Sequence, residues 1–468
     1  MNRRFVPNLL LCGLAAMPGC ARPSNVHPAT KPRTLAANLL PSQPGSYAQE
    51  IAAAKREGVP IGPQALQAPL PPPEQNAAAL YTQMILLRKT RPLSQEDDGA
   101  IAAVAGHKMP SAEQWTQARL VLQHRPDLLR LIHQVAARPQ CVFTRDWSNP
   151  NAILSPELAQ MREAVRLLTA ESLLLAQNGK PLEAVRNEAL GFRIAHHADE
   201  ENWLIGYLTA INSDAITLNS MEKILTMAGN DPAVADAVQK EIEKAWTPPD
   251  LIHSLRSEAG IQVGEVEMLR KLGPASLGQF AGDSSPDAAT LHMNPQAWNA
   301  FLDANGAYML HQMRTSINAA KRPFLEATPI LRSLDAQTMQ GKSLTHLLAV
   351  IILPQFALGA EKRASIQALA DTVRAAAAVL AWKARHGAFP ATLAQALTTV
   401  PTDPFDGKPL RYRQEGTGFV LYSVGKDGTF DGGTPDKQPS SRDVVFRYPL
   451  PPYYQAAFRA KPGSSPAR

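Results

Sequence analysis

Residues 155–197 read SPELAQMREAVRLLTAESLLLAQNGKPLEAVRNEALGFRIAHH, and this stretch decides the fold class. Leu158, Met161, Val165, Leu168 and Leu175 recur at spacings of three, four, three and seven. On a helix of 3.6 residues per turn that spacing lines them along one face. Asn178-Gly179-Lys180-Pro181 then breaks the run, with glycine to end one helix and proline to open the next. Leu182 to His197 resumes the pattern, so an antiparallel helical hairpin is expected here.

Outward from this hairpin the helical period continues in both directions. Helices are expected at Tyr47 to Arg56, at Gln75 to Lys89, and at Ser111 to Ala137, the last divided at Pro126 because proline removes an amide donor. Others follow around 203–228, 231–245, 250–272, 295–320 and 343–353. Ala170 to Ala195 looks like a tetratricopeptide-type hairpin. It occurs as a single unit without a period of about 34 residues, which argues against a repeat array. The expected fold is mainly α, an irregular helical bundle or short solenoid. His346 to Leu358 (HLLAVIILPQFAL) is the most apolar stretch after the N-terminal segment. It is short of the roughly 20 residues that a membrane span needs and is interrupted by Pro354, so a buried helix is expected.

Of the 468 residues, 45% are hydrophobic and 19% charged, enough apolar material for a core and too much for a wholly disordered chain. The 40 prolines exceed the usual share of about 5% and gather near both ends, which marks flanks around a compact middle. Arg3 and Arg4 precede the short apolar run Phe5 to Met17, as in an export signal. Met17-Pro18-Gly19-Cys20 resembles a bacterial lipobox. Gly19 and Cys20 match it, while Met17 and Pro18 stand where leucine and a small residue are preferred. Lipidation at Cys20, ordinary signal cleavage and a retained apolar anchor are all compatible with this pattern. Each gives an exported protein, membrane-anchored on the periplasmic or extracellular side in the lipidated form. Cys141 then has no intramolecular partner, and a small buried hydrophobe explains it better than a nucleophile. The formal charge of +6, less the two arginines of the signal, leaves +4, which is no argument for a nucleic-acid partner.

The last hundred or so residues change character. A helix from Glu361 to Arg385 stops at Gly387, and FPATLAQAL (389–397) holds a small helix. Asp403-Pro404-Phe405-Asp406-Gly407-Lys408-Pro409-Leu410-Arg411-Tyr412 reads as a turn feeding a strand. Gly418 to Ser423 pairs back across Glu415-Gly416-Thr417-Gly418, and Asp443 to Phe446 is a third strand. This order resembles the globular part of the major pseudopilin of type II secretion systems, over about 365–447. The resemblance implies a small α+β unit, a long helix plus a three-stranded antiparallel sheet. It also implies a calcium ion held in the loop after the second strand. Asp427 matches the family's loop aspartate and Asp443 the acidic residue before the last strand, with Asp431 and Asp436 between them. The pilin-like helix here has a charged start (Glu361, Lys362, Arg363) and follows a helical body, so the family's usual filament assembly is not expected. Calcium takes six to eight hard oxygens, which aspartates and glycine-freed carbonyls can supply, although Asp-Gly pairs also make ordinary tight turns.

Elsewhere, His196-His197-Ala198-Asp199-Glu200-Glu201 carries donors at a spacing unsuited to one metal and reads as a solvated hairpin end. Glu96-Asp97-Asp98 reads as a charged face, and Trp147, Trp203, Trp246, Trp298 and Trp382 as core. The expected division is an export or lipoprotein-type signal (1–20), a proline-rich tether with a short helix (21–73), an α-helical domain (74–358), the pseudopilin-like domain (359–448) and a disordered tail (449–468). The expected function is a non-catalytic binding or scaffolding protein of the cell envelope. It would have a protein partner there, in one version a secretion or pilus-like apparatus, and a calcium-stabilised C-terminal loop. The alternative is an envelope hydrolase with its site in a cleft of the helical body.

Overall fold

A computed structural model describes residues 43–106, 110–149, 153, 155–201, 203–277, 293–340, 344–430 and 443–449. The signal with Cys20, the first part of the tether (21–42), Asp431, Asp436 and the tail from residue 450 lie outside the described residues. The chain is mainly helical, with a small antiparallel sheet near the C-terminal end.

The helices are α1 (Tyr47–Arg56), the single turn α2 (Pro63–Leu66), α3 (Ala78–Thr90), α4 (Gln95–Ala105), α5 (Ala112–His124), α6 (Pro126–Ala136), α7 (Pro156–Gln177), α8 (Pro181–Glu188) and α9 (Leu190–Asp199). They continue with α10 (Leu204–Ala228), α11 (Pro232–Ala245), α12 (Leu251–Leu272), α13 (Pro295–Ala320), α14 (Phe324–Gln340), α15 (Leu347–Ile352), α16 (Phe356–His386) and the short α17 (Leu393–Ala396). The expected hairpin is present, with its second arm broken at Ala189 into α8 and α9. Leu158, Met161, Val165 and Leu168 are all buried on α7, which packs against α3, α4, α8, α9 and α10. Pro126 does divide α5 from α6.

α16 joins the two ends of the molecule. Its 31 residues pack on α10, α11 and α14 and also on the sheet. Ala375 to Ala378, Val379, Leu380 and Ala381 are buried, and small side chains let neighbouring helices approach the axis closely. Gly387 closes the helix at φ +77°, a left-handed conformation that costs glycine nothing. The sheet runs β1 (Arg411–Glu415), β2 (Gly418–Ser423), β3 (Val444–Tyr448) in antiparallel order, with Ser423 opposite Val444. Phe419, Val420 and Leu421 on the central strand are fully buried, and Phe419 and Phe446 belong to the same continuous core as α7, α10 and α16.

Two expectations are corrected. Residues 346–358 do not form one buried helix. Leu344–His346 is a 3-10 turn, α15 is six residues long, the chain is extended at Leu353 and Gln355, and α16 begins at Phe356 rather than Glu361. Leu348 and Ala349 are buried, whereas Leu344 and Val350 are exposed. Leu344–His386 contains an 18-residue window of mean hydropathy 1.5, apolar enough to cross a membrane by length and composition, with a third of it buried. Residues 44–73 are seated on the body rather than standing off it. Tyr47 lies against Gly306 of α13, where a Cβ would sit 2.6 Å from the ring, and Ala54, Val59 and Leu66 are buried. Arg314 on α13 donates to both Glu50 and Glu57, and His311 faces Glu50 at 3.3 Å. Burial works to raise the Glu50 carboxyl, but bonds from the Gly45 amide and Arg314 hold it below the usual range.

Candidate functional site

The C-terminal turn is built around Asp403, which is fully buried. Its carboxylate accepts from the Phe405 amide (3.0 Å), the Ser423 hydroxyl (2.9 Å), the Val424 amide (2.9 Å) and Arg411 Nη1 (2.8 Å). The Asp403 amide donates to the Lys408 carbonyl and its carbonyl accepts from Gly407. Arg411 also bridges to Asp406; burial works to raise the Asp406 carboxyl, but the bonds from Arg411 and the Lys408 amide together hold it below its ordinary range. The Asp-Pro-Phe-Asp-Gly string is therefore a cradle that locks the end of β2. Immediately beyond, Gly425–Asp427 makes a 3-10 turn and Asp427 Oδ1 accepts from the Thr429 amide at 3.2 Å. Tyr422 stacks on Phe430 with ring centroids 4.0 Å apart.

Because Ser423 pairs with Val444, Asp443 sits one position past the last pair, at the same end of the sheet as Asp427. Asp443 is largely buried. Two of the four aspartates thus lie on segments that leave the same end of the sheet. Asp431 and Asp436 lie outside the described residues, and among the described residues no group of three or more His, Cys, Asp or Glu side chains could hold a metal. Two carboxylates are the right donor type for calcium and supply at most four of the six to eight oxygens it takes. The remainder would have to come from the intervening loop, backbone carbonyls or water.

A second feature escaped the sequence reading. A cleft of about 260 Å³ opens between the α3–α4 connection, α5 and the start of α6. Arg91, Asp97, Gln117, His124 and Arg125 give its polar lining, and Pro92, Leu93, Leu120 and Val121 its apolar one. Glu96-Asp97-Asp98, expected as a charged face, is the first turn of α4. Ser94 caps that turn and Asp97 bonds back to the Ser94 amide, a capping box. Gln117 Nε2 also donates to Asp97 at 2.6 Å, and these bonds, against burial, keep Asp97 below the usual carboxylate range. Arg125 Nη1 donates to the Arg91 carbonyl at 2.9 Å, and Asp127 faces both arginines. Arg125 Nη2 is buried with no hydrogen-bond partner among the described residues. The Arg-Pro-Asp string at 125–127 was the available signal, and it was read only as a helix break.

The end of α9 is not a solvated charged end. His197 is fully buried, with Nε2 2.9 Å from the Arg138 carbonyl and Nδ1 3.1 Å from the Tyr81 hydroxyl. A carbonyl only accepts, so Nε2 carries the proton and Nδ1 accepts from Tyr81. Burial brings the His197 pKa down to about 4, so the ring stays neutral. Glu201 and Glu157 share the buried Arg145 guanidinium, with Nε donating to Glu201 at 2.8 Å. Burial pushes Glu201 up to about 7 against the pull of Arg145. Cys141 is fully buried and its thiol is raised well above the usual value by burial. This knot fixes the 141–147 connection to α9 and α7. No protein-family model, no curated protein and no solved structure matches the chain.

Proposed function

We propose that this protein is a non-catalytic binding or scaffolding component of the cell envelope whose C-terminal loop is a calcium site. The observation that supports the reading is that Asp443 and the turn carrying Asp427 adjoin the same end of the sheet, where the Asp403 cradle holds β2. In this reading the pseudopilin-like ending is a borrowed module. Export and lipidation at Cys20 hold the chain at the membrane on its periplasmic or extracellular side, and the partner is another envelope protein, in one version part of a secretion or pilus-like apparatus. The hydrolase alternative has the cleft at Asp97 and His124 as its place, but the Asp97 carboxylate is already committed to Ser94 and Gln117.

The test is thermal melting of residues 21–468 in chelator and in millimolar calcium, alongside Asp427→Ala and Asp443→Ala. A site filled to 100 times its dissociation constant adds about 2.7 kcal/mol to the folded state. Calcium should raise the melting temperature of the wild type and of neither variant. Equal melting of wild type with and without calcium would remove the metal from the proposal.

A further inference from the structure

We propose that the turn at Leu344 and the helix α15 form a membrane-contact surface that lays its apolar side chains into the interface of a lipid bilayer. The inference rests on the envelope reading, which supplies the bilayer, and adds to it a second contact besides the lipid expected at Cys20. Leu344 is 55% exposed and Val350 on α15 is 40% exposed, and Met339, just before them at the end of α14, is 72% exposed. Ile351, Ile352 and Leu353 are only half-buried. Large apolar side chains facing water this close together along the chain mark a binding surface rather than scattered exposure. The surface is held in place. The fully buried Asn305 of α13 donates from Nδ2 to the Leu344 carbonyl at 2.8 Å, and its Oδ1 accepts from the Leu348 amide at 3.0 Å. Leu348 and Ala349 are buried beneath, so the turn and α15 are pinned to the body while Leu344 and Val350 stay outside.

Chemistry and position favour a bilayer over a protein partner. From Leu344 to Ala360 the chain carries no Asp, Glu, Lys or Arg. Residues 347–353 read LLAVIIL, whose side chains offer no directional bond, so contact through them is one of apolar area alone. A lipid interface needs nothing more, whereas a specific protein interface adds hydrogen bonds and a polar rim. The 18-residue window of mean hydropathy 1.5 in Leu344–His386 is only one-third buried, so a bilayer-like composition is left partly uncovered. The two bonds to Asn305 keep the segment on the body, which places it at a membrane surface rather than across one. Position agrees with composition. Leu348 and Ala349 share one apolar cluster with Tyr47 of α1, and the chain from Cys20 enters the body at α1. A lipid on Cys20 would draw the bilayer toward the cluster that carries this surface.

The test is flotation of residues 21–468 with lipid vesicles in chelator. That chain holds every described residue and neither the N-terminal apolar run nor Cys20. The vesicles are phosphatidylcholine alone, or phosphatidylethanolamine with phosphatidylglycerol. The variants are Leu344→Asp and Val350→Asp, with Leu86→Asp at another exposed leucine, on α3, as the comparison. Melting temperatures within about 2 °C of wild type confirm that each folds. Wild type should float with both kinds of vesicle, also in about 0.5 M salt, which screens charge. Leu344→Asp and Val350→Asp should each weaken partitioning by about tenfold, and Leu86→Asp should leave it unchanged. No flotation at about 5 mM lipid, flotation with phosphatidylglycerol only that salt abolishes, or equal partitioning of wild type and both surface variants would overturn the proposal. So would a wild-type dimer in sedimentation that Val350→Asp disperses, which assigns the surface to a second copy. Mass spectrometry of Cys20 in the full chain decides the anchor separately. Flotation with an unmodified Cys20 keeps the surface and removes the anchor, and a lipidated Cys20 without flotation does the reverse.

Discussion

At the scale of single residues, buried carboxylates dominate the chemistry. Glu258 and Glu265 lie seven residues apart on α12 and are nearly inaccessible. Burial, reinforced by the neighbouring Glu258, raises Glu265 to about 8, and burial raises Glu258 to about 7. An acid whose pKa is higher folded than unfolded holds its proton longest in the folded state. Its contribution is complete below the unfolded value of about 4.5 and is lost as pH rises through the folded value. Glu265→Gln removes that titration. We expect its stability relative to wild type to increase between pH 5 and pH 8 by on the order of 2–4 kcal/mol, read from urea melts at each pH. A difference that stays constant across that range would mean Glu265 is ionised in the fold. None of this was visible in EAGIQVGEVEML (258–269), where glutamates at helical spacing look like a wet face. Only the packing of other helices around α12 takes their water away.

At the scale of elements, most helix positions followed from apolar period and breakers, and the misses have local causes. α4 went unseen because its acidic opening was read for charge, although acidic residues in a first turn complement the unpaired amides and dipole there. α14 went unseen because Pro323 and Pro329 bracket its start. Pro329 lies early in the helix, where it costs one backbone bond and leaves the remaining turns intact. α1 was placed correctly along the chain, but its docking was not legible, since Glu50 and Glu57 meet Arg314 across more than 250 residues. Arg314→Ala leaves two carboxylates without their cation in a largely buried place. We expect a loss of about 3–5 kcal/mol and faster proteolytic cleavage between residues 57 and 73. Cleavage at the wild-type rate would show that apolar contacts such as Tyr47 on Gly306 hold α1 by themselves.

At the scale of the whole molecule, α16 makes one core out of what reads along the chain as two regions. Its buried face spans Ile366 to Ala381, packed on helices from earlier in the chain and on β2 and β3. A fragment of residues 355–449 would uncover the sides of α16 that pack on α10, α11 and α14, where each large apolar side chain is worth about 1.5–3 kcal/mol when buried. We expect that fragment to show no cooperative thermal transition, while the full chain melts with its sheet and helices together by far- and near-ultraviolet circular dichroism. Two separate transitions in the full chain would show that the sheet end is self-sufficient.

By itself the sequence determined the helical class, the hairpin at 155–197, the order of helix, turn and strands at the C-terminal end, and the pairing across Gly416-Thr417, because period, proline, glycine and tight-turn chemistry act over a few residues. Only the tertiary structure decided that α16 is shared by body and sheet, that Glu201, Glu258 and Glu265 are buried, that Asp443 and the turn carrying Asp427 adjoin the same end of the sheet, and that Arg91 and Arg125 face one cleft. Those outcomes depend on which surfaces exclude water from one another, a property of packed elements that no local run of residues contains.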